Sequence, residues 1–126
     1  MKILPILTLA ALVAGCASVS PERTAYAQGQ TTFEGFVWFS GEEVLLMDSE
    51  NRYRAGLQRP CVSGVLPRDE RRRSADIGGQ KVRITGTTMA WSDDLPGDRY
   101  VHEGSIVRNE CGASFVILAQ TIEAIR

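Results

Sequence analysis

Lys81-Val82-Arg83-Ile84-Thr85-Gly86-Thr87-Thr88-Met89-Ala90-Trp91 is the stretch from which the fold is read. Val82, Ile84, Gly86, Thr88 and Ala90 alternate with Lys81, Arg83, Thr85, Thr87 and Met89. Period two is the mark of a strand that turns one face to a core.

Upstream, Thr32 to Ser40 repeats the period. Phe33, Gly35, Val37 and Phe39 share one face; Glu34, Phe36, Trp38 and Ser40 share the other. Gly35 reads as a bulge or bend point. Ser40-Gly41-Glu42 turns the chain, and Glu43 to Met47 returns as a second strand. After the turn cluster Asp48-Ser49-Glu50-Asn51, Arg52 to Leu57 reads as a third strand. Pro60 to Gly64 reads as irregular. Pro67 to Asp76 reads as a short helix with proline at its first position and helix-spaced pairs Asp69/Arg73 and Glu70/Arg73. Gly78-Gly79 ends it.

Downstream, Ser92 to Asp98 is turn-rich. Arg99 to His102 and Ser105 to Arg108 are spaced to pair around Glu103-Gly104. Ser114 to Ile125 is the last strand, and its run Phe115-Val116-Ile117-Leu118 implies burial on both sides.

Three strands, a short helix, then further strands make the chain mainly β. Gly35-Phe36-Val37 in a long bent strand, and Gly79-Gln80-Lys81-Val82-Arg83-Ile84-Thr85-Gly86 after the helix, resemble the first and fourth strands of an OB-fold. The resemblance implies a small OB-fold-like β-barrel with one short helix over residues 32–126. The segment 92–113 exceeds a minimal five-stranded barrel; another small β-barrel or sandwich is the alternative.

The first residues read differently. Met1 and Lys2 are a short positive start, and Ile3 to Ala14 is apolar, interrupted by Pro5 and Thr8. Its length suits a secretory h-region of about 7–15 residues and falls short of the roughly 18 that a spanning helix needs. Val13-Ala14-Gly15-Cys16 resembles the lipobox of bacterial lipoproteins. The resemblance implies a signal peptide over 1–15 and a lipidated (palmitate-bearing) Cys16. With Ala17 following, it also implies sorting to the periplasmic side of the outer membrane. A plain signal peptide cut after Ala25-Tyr26-Ala27 is the competing reading. Residues 16–31 are small, polar and aperiodic, and read as a tether.

The chain carries 14 Lys and Arg against 15 Asp and Glu. Neither sign dominates, so no non-specific polyanion binding, and no nucleic-acid partner, is expected. With Cys16 lipidated, Cys61 and Cys111 remain. In an exported chain the pair reads as a disulfide, worth about 4 kcal/mol for a loop of this length. Zinc would want further Cys or His, and His102 is the one histidine. A redox pair would favour C-x-x-C, which is absent.

OB-folds bind ligands on the face of strands two and three, flanked by loops. With Val37, Phe39, Tyr53, Val82 and Ile84 inward, Phe36, Trp38, Arg52, Arg54 and Arg83 face outward. Rings beside guanidinium groups suit stacking with anion recognition. Periplasmic ligands of that kind are glycans, phosphorylated envelope lipids or peptides. Packing of Phe36 and Trp38 under the loop 92–113 or the helix is the bland alternative. Asp93, Asp94 and Asp98 miss EF-hand spacing and read as a solvated turn, so no metal is expected. His102 lacks a nucleophile constellation. The triple arginine Arg71-Arg72-Arg73 reads as a solvated helix face rather than an anionic-lipid patch.

The expectation is a non-catalytic envelope lipoprotein, without cofactor, that binds a ligand or a protein partner. An inhibitor of a periplasmic hydrolase is the alternative, although the S-A-S-G-x-x-Y stretch of lysozyme-inhibitor lipoproteins is absent. A carboxylate-based enzyme ranks below both.

Overall fold

The computed structural model describes residues 25–51 and 60–125. Cys16, the signal peptide, most of the tether, the expected third strand 52–57, and Arg52 and Arg54 lie outside them. In chain order the strands are β1 (Thr32–Ser40), β2 (Glu43–Met47), β3 (Val62–Val65), β4 (Lys81–Ala90), β5 (Tyr100–His102), β6 (Ser105–Val107) and β7 (Phe115–Ala124). Helix α1 (Arg68–Arg73) lies between β3 and β4.

Five strands close into a barrel in the order β1-β2-β3-β7-β4, and β4 returns to β1. All pairings are antiparallel except β3 with β7, where Gly64 faces Ile117 and Val65 faces Leu118. The protein is mainly β, and the strand order with its parallel β3–β7 contact makes it a small OB-fold-like barrel.

Closure depends on β1 serving two neighbours. Thr32 to Phe36 pair with β4, and Phe36 to Ser40 pair with β2. The alternation read from the sequence holds: Phe33 and Val37 are fully buried, while Glu34 and Trp38 are exposed. Val44, Leu46, Val62, Val82, Ile84 and Ile117 complete the interior. Burying each such side chain contributes about 1.5–3 kcal/mol.

Gly35 is not a bulge; β1 keeps register with both neighbours. A Cβ there would strike the Tyr26 hydroxyl and the Met47 carbonyl, so the position is reserved for close approach. Tyr26 fills the space. It is 8% exposed, meets Phe33 edge-on at 6.0 Å, and donates from Oη to the Glu34 carbonyl at 2.6 Å. Burial, with Asp48 and Glu34 nearby, pushes its phenol well above the ordinary tyrosine range. Gly29 N donates to Thr88 Oγ1 at 2.7 Å, and Gly86 N donates to the Thr31 carbonyl at 3.1 Å. Residues 26–31, read from the sequence as tether, therefore pack on the barrel.

Two further readings are corrected. The segment 60–64 is not irregular, because β3 begins at Val62. The helix is shorter than Pro67–Asp76. Pro67 caps it from outside and Ser74 ends it. Of its expected ion pairs, Arg73–Glu70 forms at 2.6 Å.

Candidate binding face

Cross-strand partners point to the same side of a sheet, so the register defines the barrel's outer surface. On β1 and β2 it runs Phe36 beside Met47, Trp38 beside Leu45, and Ser40 beside Glu43. On β3 it continues through Ser63 and Val65, and on β7 and β4 through Leu118 and Thr87, Val116 and Met89. Towards the start of β4 it carries Lys81, Arg83 and Thr85.

The part over β2, β3 and β7 is covered by the chain itself. β5 and β6 form a hairpin with Glu103-Gly104 at its turn, as the spacing predicts. Both turn residues have positive φ, at 44° and 90°, which suits the twist of a two-residue hairpin. Val107 of β6 is fully buried against Val65 and Val116, with Tyr100, Trp91, Met89 and Leu118 around them. His102 lies on the same hairpin, with its Nε2 2.9 Å from the Ala119 carbonyl oxygen. It is a satisfied histidine.

Beyond β6 the chain runs as a strap across β2 and β3. Glu43 is 3% exposed. Its carboxylate accepts the Arg108 N–H at 2.7 Å and the Glu110 N–H at 2.6 Å. Ser63 Oγ accepts the Cys111 N–H at 3.0 Å. Cys61 and Cys111 lie at disulfide distance, with S–S 2.01 Å and Cα–Cα 5.4 Å. They pack with Leu45 and Met47 in a buried cluster of their own. The OB ligand face over β2 and β3 is therefore filled in cis.

Among the described residues, the hairpin and the strap do not cover the outer face of β1 and the adjoining ends of β4 and β7. Phe36 is half-buried, and Trp38 is 39% exposed. This rules out complete packing of Trp38 beneath the 92–113 segment or the helix. Arg83 lies opposite Glu34 on β1 and Glu123 on β7. It donates to Glu34 at 3.0 Å and to Glu123 at 3.3 Å. The bond and charge of Glu34, then those of Glu123, raise the guanidinium's pKa further. Arg83 is thus engaged by two carboxylates rather than presented to an anion. Thr85 and Thr121 share a hydroxyl–hydroxyl hydrogen bond beside it.

The structure thus brings Phe36, Trp38 and Arg83 to one side of the barrel. Arg71 of α1 is placed elsewhere. Its guanidinium sits 3.8 Å above the Phe39 ring and donates to the Gly41 carbonyl. Burial lowers its pKa. Among the described residues no three His, Cys, Asp or Glu side chains gather closely enough to hold a metal ion. The acidic residues of the 93–98 turn are exposed.

Glu43 and Ser63, the two side chains that seat the strap, were not singled out from the sequence. Glu43 opens a strand and Ser63 occupies an unremarkable polar position, so only the register reveals their partners. No known protein family, curated protein or solved structure matches the chain at a significant level.

Proposed function

We propose that the chain is an exported lipoprotein of the cell envelope. Its lipid would sit on Cys16, its barrel in the periplasm at the outer membrane, and its role would be non-catalytic binding. The observation that carries this reading is Val13-Ala14-Gly15-Cys16 set directly against the apolar run 3–14. The Cys61–Cys111 pair agrees with it, because disulfides persist in oxidising compartments.

The working surface is the outer face of β1, with Phe36 and Trp38 at its centre; Arg52 and Arg54, which the sequence reading assigns to it, lie outside the described residues. Since the β2–β3 face is filled by residues 108–111, a ligand meets β1 and its neighbours instead. Glu34 and Glu123 flank Arg83, so the rings carry more of the recognition than the Arg83 charge does. The partner is an envelope protein, glycan or lipid.

Replacing Cys16 by Ser tests the anchor. The expected result is an unprocessed or mislocalised precursor. A variant that is processed and fractionates with membranes like wild type overturns it. A pull-down from intact envelopes with wild type and Trp38→Ala tests the face.

A further inference from the structure

We infer that Tyr26 is a latch that docks the tether into the barrel and holds the barrel close to the membrane. The inference rests on the Cys16 anchor proposed above and adds a geometry to it.

The hole comes first. Gly35 lies on the inward side of β1, and any Cβ there would collide with the Tyr26 hydroxyl. The tyrosine therefore occupies volume that the strand leaves empty. Its ring packs against Phe33 and its hydroxyl is bonded to the Glu34 carbonyl. The residues after it are also tied down, through Gly29 to Thr88 and Thr31 to Gly86. A segment that only linked lipid to barrel would need none of these contacts.

The consequence is a shorter reach. Cys16 and Tyr26 are ten residues apart, and a fully extended chain covers at most about 3.3–3.6 Å per residue. The docked barrel is therefore tethered within about 35 Å of its lipid, whereas release as far as Thr32 would allow about 55 Å. The open face is then held within that tether plus the width of the barrel, which favours a ligand or partner presented at the bilayer surface.

Lys81 makes this measurable. It is the one lysine after Cys16, and it is exposed on β4 opposite Phe36. A fluorophore on Lys81 of the full lipidated protein, in vesicles containing an acceptor-labelled phosphatidylethanolamine, reports distance to the bilayer. Tyr26→Ala should lose transfer towards the level of a chain with ten Gly and Ser residues inserted between Ser20 and Pro21. Gly29 amide exchange should rise in Tyr26→Ala while that of Val82 and Ile84 stays slow. Tyr26→Phe, which keeps the ring, should behave as wild type in transfer.

Should Tyr26→Ala fail to fold, the wild type serves alone: with the latch in place, its Gly29 amide must exchange more slowly than an unprotected one, and exchange at the unprotected rate overturns the inference. Unchanged transfer in the insertion chain overturns the inference. So does a folded Tyr26→Ala chain whose Gly29 exchange and transfer match wild type. A chain that carries no lipid on Cys16 by intact mass overturns the anchor, and the positioning with it. That failure is distinguishable, because Gly29 exchange in the soluble chain still reports whether Tyr26 is docked.

Discussion

The outer surface of the barrel has two halves with opposite treatment. Over β2, β3 and β7 the outward side chains are Leu45, Met47, Val65 and Val116, and the chain returns to bury them under β5, β6 and the strap. Over β1 and the ends of β4 and β7 the outward side chains are Phe36, Trp38, Lys81, Arg83 and Glu123, and no described segment covers them fully. The first half is an interior: its apolar side chains pack together, and its two polar ones, Glu43 and Ser63, are bonded to the strap. The second is polar with two rings, which is the composition of a solvent-facing surface that retains aromatic contact area. The face over β2 and β3, on which OB-folds bind ligands, is here a second core.

The covered half should respond most strongly to substitution. Replacing both Cys61 and Cys111 by Ser should destabilise the domain by about 2–5 kcal/mol, read from denaturant melts. Intact mass after alkylation without reductant should show no labelled Cys61 or Cys111. Two free thiols in exported protein would break the comparison, since the strap would then be held by hydrogen bonds alone.

Glu43→Gln probes the same half with a smaller change. The carboxylate accepts two backbone N–H groups, and an amide can accept with only one of its two ends. One buried N–H then faces an NH2 group. The expected loss is about 1–3 kcal/mol, with faster amide exchange at Arg108 and Glu110. A neutral result would mean that water already reaches this carboxylate, and that the strap is looser than its geometry.

Much of this architecture was legible in the sequence, and the gaps have physical causes. Strands β1 and β4 are long enough for period two to stand out, and β7 is marked by its continuous apolar run Phe115-Val116-Ile117-Leu118. The β5–β6 hairpin was legible from two short runs around Glu103-Gly104. Strand β3 was missed because Val62-Ser63-Gly64-Val65 is short and half of it is small residues. Gly64 is small because a Cβ would lie 3.2 Å from Ile117 on the parallel neighbour. Ser63 is polar because it receives Cys111 N. Tertiary contacts thus erased the pattern that announces a strand. Tyr26 was placed in the tether because its neighbours are small and polar, and a single ring in such a stretch carries no period. The outward set Phe36, Trp38 and Arg83 followed from alternation alone. That Arg83 is held by Glu34 and Glu123 could not, because cross-strand register is a three-dimensional quantity.

On the open half, Trp38→Ala should cost about 1–2 kcal/mol, well short of the ~3–5 kcal/mol of a fully enclosed aromatic. The ring is 39% exposed, so part of its area never left water. Partner capture from envelopes should fall at the same time. A melt lowered by the full core amount with unchanged capture would make Trp38 a wall of the Leu45–Met47 cluster. The working face would then have to be sought elsewhere.

The smallest effect is expected at Arg83, and it separates two ways in which the open half could work. The Glu34–Arg83–Glu123 ladder is exposed, and ion pairs of that kind are largely screened at physiological salt. Arg83→Gln should therefore leave the melting temperature unchanged. The informative comparison is with Glu34→Gln and Glu123→Gln together, which would release the guanidinium from both carboxylates. If the face recognises an anion through Arg83, releasing it should strengthen capture and removing it should weaken capture. If the rings carry recognition, capture should follow Trp38 and ignore both changes. We expect the second pattern, because Glu34 and Glu123 already offset the guanidinium's charge and occupy its Nε and one Nη1 donor. Stronger capture by the double Gln variant would reverse that expectation and make Arg83 the centre of the site.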